Sequence, residues 1–231
     1  MKNTIIKSTD RYLAHHGWLK SYHIFSFADY FDPKNVSFGN LRVFNDDYID
    51  GNSGFGLHPH SNMEILTIVL DGEITHGDSM GNKAGVKKGQ IQTISAGTGI
   101  FHSEENLGEK QVHLYQIWFL PTHTGNTPTY KDIDIKIENN KLNLLATNKQ
   151  LDGVGFLDSD VKVYYGKYDL GAKFDYNIEA NRGLFLYIYK GKLSTNGVEL
   201  SQGDQLRYTQ TDTYDFDANS DCEFVLIEVS M

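Results

Sequence analysis

Met63-Glu64-Ile65-Leu66-Thr67-Ile68-Val69-Leu70-Asp71-Gly72-Glu73-Ile74 is the stretch whose reading decides the fold. Its opening run is short and dense in β-branched residues, and Asp71-Gly72 is a dipeptide suited to a tight turn. The stretch therefore predicts a strand, a turn and a second strand. Outward from it the rhythm repeats. Residues 41–44, 90–94, 112–120, 184–189 and 224–229 are short apolar runs rich in β-branched and aromatic side chains. Turn signals stand between such runs at Met80-Gly81-Asn82, Lys88-Gly89, Lys190-Gly191, Asn196-Gly197 and Gln202-Gly203. Helical periodicity is thin by comparison. Many short strands with regular turns predict an all-β chain, an antiparallel sandwich or barrel rather than alternating β and α units.

The strand-rich parts form two halves that echo one another. Leu70-Asp71-Gly72-Glu73-Ile74 followed by Lys88-Gly89-Gln90 resembles Tyr189-Lys190-Gly191-Lys192-Leu193 followed by Gln202-Gly203-Asp204. Between 121 and 158 the pattern loosens, with Pro128 and a Lys- and Asn-rich stretch over 131–150 that reads as a connection. A first domain over 1–130 and a second over 140–231 are expected. The second half contains no histidine, so a histidine-based metal centre belongs to the first.

Composition bounds the function. The 231 residues are 39% hydrophobic and 22% charged, ordinary for a globular chain able to bury a large core. A formal net charge of −9 argues against direct nucleic-acid binding, which needs clustered cations to neutralise phosphates. Lys83, Lys87 and Lys88 read as a solvated face. Residues 1–11 lack the apolar core of a secretory signal, and no run approaches the roughly eighteen apolar residues of a membrane span. A cytoplasmic protein with no membrane association is expected. The single cysteine, Cys222, permits no internal disulfide and reads as a buried strand residue.

The candidate chemistry lies in His58-Pro59-His60 and His102-Ser103-Glu104. Side chains two apart on a strand share a face, about 6–7 Å apart at their Cα atoms, so each pair can converge on one ion at about 2.0–2.2 Å. Two such strands would supply four donors and leave positions open for water or substrate. Spacing alone leaves the carboxylate undecided, because Glu64 shares parity with His58 and His60 while Glu104 shares parity with His102.

The first half resembles the cupin pattern, with His58, His60 and Glu64 in its first motif and Gly89, Gly97, His102 and Asn106 in its second. It departs from the common form in Ser95, where proline is usual, and in a Gly97-to-His102 spacing longer by two. These departures, and the segments Gly54-Phe55-Gly56-Leu57-His58-Pro59-His60, Ser95-Ala96-Gly97-Thr98-Gly99-Ile100-Phe101-His102-Ser103-Glu104 and Leu114-Tyr115-Gln116-Ile117-Trp118, are similar to the pirin family, in particular to bacterial pirin-like quercetin 2,3-dioxygenases.

The resemblance is strong over about 16–121 and weak beyond. It implies a bicupin of two antiparallel jelly-roll-like barrels with one divalent transition metal in the first. It puts the metal ligands on His58, His60, His102 and Glu104, and implies a dioxygenase taking a small aromatic, flavonol-like substrate and O2. Fe(II) is the metal expected first, with Ni, Mn, Co and Zn also suited to the donors. Glu104 and Glu64 are the candidates for a catalytic base. The other reading the resemblance implies is a metal-binding regulatory protein acting through a protein partner.

The remaining histidines carry blander expectations. His76 and His113 read as packing or hydrogen-bonding residues, and His15, His16, His23 and His123 lie outside the motifs. Gly97-Thr98-Gly99 resembles a phosphate loop only weakly. No helix follows it, so it reads as the turn into the strand bearing His102.

Overall fold

The computed structural model describes residues 3–231, so Met1 and Lys2 of the 1–11 stretch lie outside the described residues. Among the described residues there is no α-helix. A single 3-10 turn occupies Ser8–Asp10, and no helix is long and apolar enough to cross a membrane. Two compact units divide the chain. The first comprises Tyr12–Ile135 with Asn148–Asp160, and the second comprises residues 3–11, Lys136–Thr147 and Val161–Met231.

After β1 (Asn3–Ile6), which belongs to the second unit, the first barrel uses β2 (Tyr12–His15), β3 (Leu19–His23), β4 (Leu41–Ile49), β5 (Ser53–His60), β6 (Glu64–Asp71), β7 (Glu73–Asp78), β8 (Lys83–Lys87), β9 (Gln90–Ser95), β10 (Ile100–Asn106), β11 (Val112–Phe119) and β12 (Thr129–Asp134). One of its sheets runs β12-β9-β6-β11-β4-β3-β2 and the other β5-β10-β7-β8. Ile74 and Val86 from the smaller sheet pack with Leu19, Ile49, Val69, Val112 and Leu114 from the larger, closing one end of the barrel with apolar side chains.

The second barrel takes β13 (Lys141–Thr147), then, after the short β14 (Gly155–Phe156) of the first unit, β15 (Val161–Tyr168), β16 (Lys173–Ile178), β17 (Arg182–Lys190), β18 (Lys192–Thr195), β19 (Val198–Ser201), β20 (Gln205–Tyr208), β21 (Asp212–Ala218) and β22 (Cys222–Ser230). Its sheets run β1-β20-β17-β22-β15-β13 and β16-β21-β18-β19. All the strand pairings described are antiparallel, the expected two-barrel, all-β architecture.

The structure differs from the linear reading in three places. The stretch over 131–150 is not merely a connection, because it holds most of β12 and all of β13. Lysine and asparagine mask the pattern there, while Ile133, Leu145 and Ala146 are buried. Secondly, residues 3–11 join the second unit rather than the first, and Asn148–Asp160 join the first rather than the second. β1 pairs with β20, and Asp204 accepts from Lys7 Nζ at 2.7 Å and from the Ser8 amide at 2.8 Å.

The third difference concerns Asp71-Gly72, which makes no hairpin within one sheet. It carries the chain from β6 in one sheet to β7 in the other, as Lys190-Gly191 does between β17 and β18. Gly72 and Gly191 have φ of +81° and +74°, and a Cβ on Gly191 would meet the Asp221 carbonyl oxygen at 2.0 Å, so glycine is required at that corner. The sequence echo is therefore an echo of corners.

Aromatic side chains fill the second barrel. Phe174 stacks on Phe216 at 4.7 Å, on Tyr168 at 4.6 Å and on Phe224 at 5.5 Å between centroids. Cys222 is buried beside them, and burial pushes its thiol up to about 11, in keeping with a structural role. Gly166 lies under the Phe224 ring, where an added Cβ would stand 2.2 Å from Cζ. Gly166→Ala is expected to cost about 1–3 kcal/mol through overpacking. A denaturant midpoint equal to that of the parent would contradict this packing.

Candidate metal centre

The two histidine pairs meet on adjacent antiparallel strands. His102 of β10 lies opposite His58 of β5, but Glu104 lies opposite Phe55, so β5 carries one extra residue, a β-bulge around Gly56-Leu57. The bulge leaves the Gly56 carbonyl 2.8 Å from His58 Nδ1. A carbonyl can only accept, so Nδ1 holds the proton and Nε2 keeps its lone pair for a metal. The alternate residues Leu57 and Phe101 are exposed, as strand parity requires.

One ligand atom from each of His58, His60 and His102 lies within 4.8 Å of the other two, a cluster able to hold a metal ion. Ring centroids are 4.4 Å apart for His58–His102 and 4.8 Å for the other two pairs. His60 Nε2 and both ring nitrogens of His102 are buried without a hydrogen-bond partner among the described residues. Burial, reinforced by the neighbouring imidazoles, lowers His60 to about 4 and His102 to about 3, so both are neutral donors near pH 7. Two neutral imidazoles with orphaned nitrogens, beside a third whose Nδ1 proton is taken by the Gly56 carbonyl, fit a divalent transition metal.

The two glutamates have different surroundings. Glu64 is buried and both of its oxygens are engaged: Ser95 Oγ donates to Oε1 at 2.6 Å and the Asp158 amide donates to Oε2 at 3.0 Å. Ser95, the departure from the cupin pattern, is thus a partner that holds Glu64. Glu104 is 3% exposed and lies outside the three-histidine cluster, two residues from His102. Gln116 Nε2 donates to its Oε2 at 2.7 Å, and Thr67 Oγ1 donates to Gln116 Oε1 at 3.1 Å. Its Oε1 has no partner among the described residues. Burial pushes the Glu104 carboxyl up to about 7 against the opposing bond from Gln116.

Gln116 belongs to a row that sequence reasoning missed. Asp132, Gln92, Thr67, Gln116, Asn45 and His23 stand directly opposite one another on six successive strands, β12-β9-β6-β11-β4-β3, and so share one face of the larger sheet. The bond from Gln116 to Glu104 identifies it as the face turned to the site. Each polar residue is separate in sequence, and only the strand register aligns them. The signal available was a polar residue at an inward position of a strongly apolar strand, as in Leu114-Tyr115-Gln116-Ile117-Trp118.

The other histidines are distributed as follows. His76 is fully buried, stacks on Tyr130 at 4.2 Å and bonds Asp78 Oδ2 through Nε2 at 3.0 Å, with its ring centroid 5.4 Å from that of His102. His113 bonds Asp46 Oδ1 at 2.6 Å, and His123 bonds Asp158 Oδ1 at 2.9 Å. Asn106 has a structural task, donating to the carbonyls of Ile49, Asp50 and Lys110. The Gly97-Thr98-Gly99 turn leads directly into β10 as expected, with the Thr98 amide donating to the Asn126 carbonyl. Trp118 packs edge-on against His60 at 4.7 Å and against Phe27 at 5.3 Å, giving the centre an aromatic wall.

Both halves of the chain have relatives among known proteins. The pirin family model matches residues 6–119, and the model of the quercetinase C-terminal cupin domain matches residues 144–229. The chain is 41% identical over 224 residues, 96% of each chain, to the quercetin 2,3-dioxygenase of Escherichia coli strain K12, and 38% identical to a pirin-like protein of Caulobacter vibrioides, covering 94% of this chain and 95% of that one. The crystal structure of the bacterial pirin YhhW from Escherichia coli in complex with nickel(II) superposes with a TM-score of 0.94 at 39% identity, covering 99% of both chains.

The two glutamates can be separated experimentally. Gln116→Leu, which releases Glu104, is expected to weaken metal binding by about 10- to 100-fold in a chelator competition. Ser95→Ala, which releases Glu64, is expected to leave metal affinity unchanged while costing about 1–3 kcal/mol of stability. The reverse pattern would transfer the ligand role to Glu64.

Proposed function

We propose that this chain, which belongs to the pirin family, is a metal-dependent dioxygenase of flavonol-like substrates, of the quercetin 2,3-dioxygenase type. The observation that carries the reading is the cluster of three imidazoles with a buried carboxylate, one oxygen of it unpartnered, two residues along β10. In this reading His58, His60, His102 and Glu104 hold one divalent transition metal. Fe(II) is the ion the proposal puts first, and nickel(II), present in the Escherichia coli relative, is the alternative to be loaded beside it. When bound, the ion supplies Lewis acidity that favours the ionised form of a substrate hydroxyl.

The chain's own residues do the rest. Glu104 Oε1 is the acceptor for the hydroxyl proton, held in place by Gln116, which Thr67 in turn orients. Trp118 and Phe27 offer aromatic surface to a flat ring. Glu64, the other candidate base, is given a structural role because both its oxygens are already bonded. Overall, the flavonol heterocycle opens with both atoms of O2 retained in the ester product, and one ring carbon leaves as carbon monoxide.

The competing reading, a metal-binding regulator working through protein partners, requires no turnover. Aerobic incubation of Fe-, Ni-, Mn- and Co-loaded protein with quercetin separates the two. Loss of flavonol absorbance with release of carbon monoxide is expected for at least one metal, and Glu104→Gln is expected to lower kcat/KM by at least about a hundredfold. Absence of turnover with all four metals favours the regulator, and full activity of Glu104→Gln at full metal content removes Glu104 from the chemistry.

A further inference from the structure

A stack of rings leads from His102 to the surface of the first unit. His76, on β7, has its ring centroid 5.4 Å from that of His102 and 4.2 Å from that of Tyr130, which stands on β12 at the edge of the facing sheet. Asp78 fixes the buried His76 ring by accepting from Nε2 at 3.0 Å. Tyr130 is half-buried and lines a groove of about 490 Å³ with Thr93, Lys131, Leu151 and Phe156, all of the same unit. Three rings in succession thus connect the candidate ligands with solvent, and no step between centroids exceeds 5.4 Å. Electron transfer falls steeply with distance, so steps this short between aromatic rings form a usable path.

Tyr130 is also equipped to lose an electron. A phenol is oxidised far more readily when a base takes its proton as the electron departs. The Tyr130 hydroxyl accepts from Gln92 Nε2 at 3.2 Å and donates to Asp132 Oδ2 at 2.8 Å, so its single proton is aimed at a carboxylate. Asp132 Oδ1 is buried without a partner among the described residues, which leaves that carboxylate the capacity to keep the proton. Burial, with Asp132 beside it, holds the Tyr130 phenol well above its usual value, and the ring stays neutral until it is oxidised. Trp118 makes the contrast. It packs against His60 at 4.7 Å and is itself an oxidisable ring, but its Nε1 is buried with no partner among the described residues to receive a proton.

We propose that Tyr130 is a redox outlet of the metal centre: it gives up one electron when a peroxide reacts there without substrate, and a small anionic reductant in the groove restores it. The inference rests on the metal reading above, with iron as the ion, and needs no flavonol. Hydrogen peroxide takes one electron from the ferrous ion and one, through the His76 ring, from Tyr130. With two protons from solvent it leaves as two waters. The phenol proton passes to Asp132 Oδ2, so Tyr130 becomes a neutral radical. One electron from an enediol such as ascorbate, with the return of that proton, regenerates the phenol. Lys131 gives the groove a positive charge that draws an anion to a chain of net charge −9. The groups protected are His58, His60 and His102, the side chains that stand closest to the oxidant.

The test mixes iron-loaded, flavonol-free protein of measured metal content with equimolar hydrogen peroxide under argon. Rapidly frozen samples are read by electron paramagnetic resonance, with ring-deuterated tyrosine identifying the signal. The wild type is expected to show a tyrosyl radical that ascorbate removes, and Lys131→Glu to prolong its life in ascorbate. Tyr130→Phe keeps a ring against His76 and is expected to lose the signal, while 2-oxohistidine at His58, His60 and His102, measured by peptide mass spectrometry, rises severalfold at equal iron content. Asp132→Asn keeps an acceptor for the phenol but no base, and gives the same two readouts should Tyr130→Phe fail to fold. Absence of a tyrosyl signal in the iron-loaded wild type, its survival in Tyr130→Phe, or a lifetime indifferent to ascorbate overturns the inference and leaves the metal reading intact. Protein that retains no iron overturns the iron assignment along with it.

Discussion

The hydrogen bond from Gln116 to Glu104 joins the two sheets of the first barrel, since Gln116 stands on β11 and Glu104 on β10. Much of the site depends on it. Glu104 is buried, and a buried carboxylate needs donors to remain in place. Gln116 can serve only because Thr67, its cross-strand neighbour, orients its amide. The bond therefore links the histidine-bearing strands to a row of polar side chains on the facing sheet.

The parts of this molecule legible in the sequence are those set by local spacing. The dense run of β-branched and apolar residues from Met63 to Leu70 identified β6, and the two-residue spacing of His58 with His60 placed both on one face. Less legible was whatever depends on register between distant strands. The bulge that offers the Gly56 carbonyl to His58 appears only when β5 is laid against β10. The difference between Glu64 and Glu104 lies in Ser95 and Asp158 on one side and Gln116 on the other, partners 12 to 94 residues away. β13 went unread because its buried Leu145 and Ala146 are flanked by lysine, asparagine and threonine, which break up the apolar pattern of a strand.

The two barrels show one topology carrying two kinds of interior. Corner turns at Gly72 and Gly191 match, and so do the strand orders, yet one interior gathers imidazoles and amides while the other is occupied by the stacked rings of Phe174, Phe216 and Phe224. Fold alone therefore says little about chemistry, which resides in side chains placed on it. The filled barrel also shows what the first forgoes, because polar side chains in its interior take places that apolar groups would otherwise fill with a gain in stability.

The pairing of Asn3–Ile6 with Gln205–Tyr208 also has a consequence for the order of assembly during synthesis. Residues 3–6 leave the ribosome about two hundred residues ahead of the strand they pair with. Meanwhile every strand of the histidine-bearing sheets is already available. Contacts of such long sequence separation form late, and domains made first fold first. The histidine-bearing barrel can close while translation continues, whereas the aromatic barrel, lacking its edge strand's partner until then, closes after it.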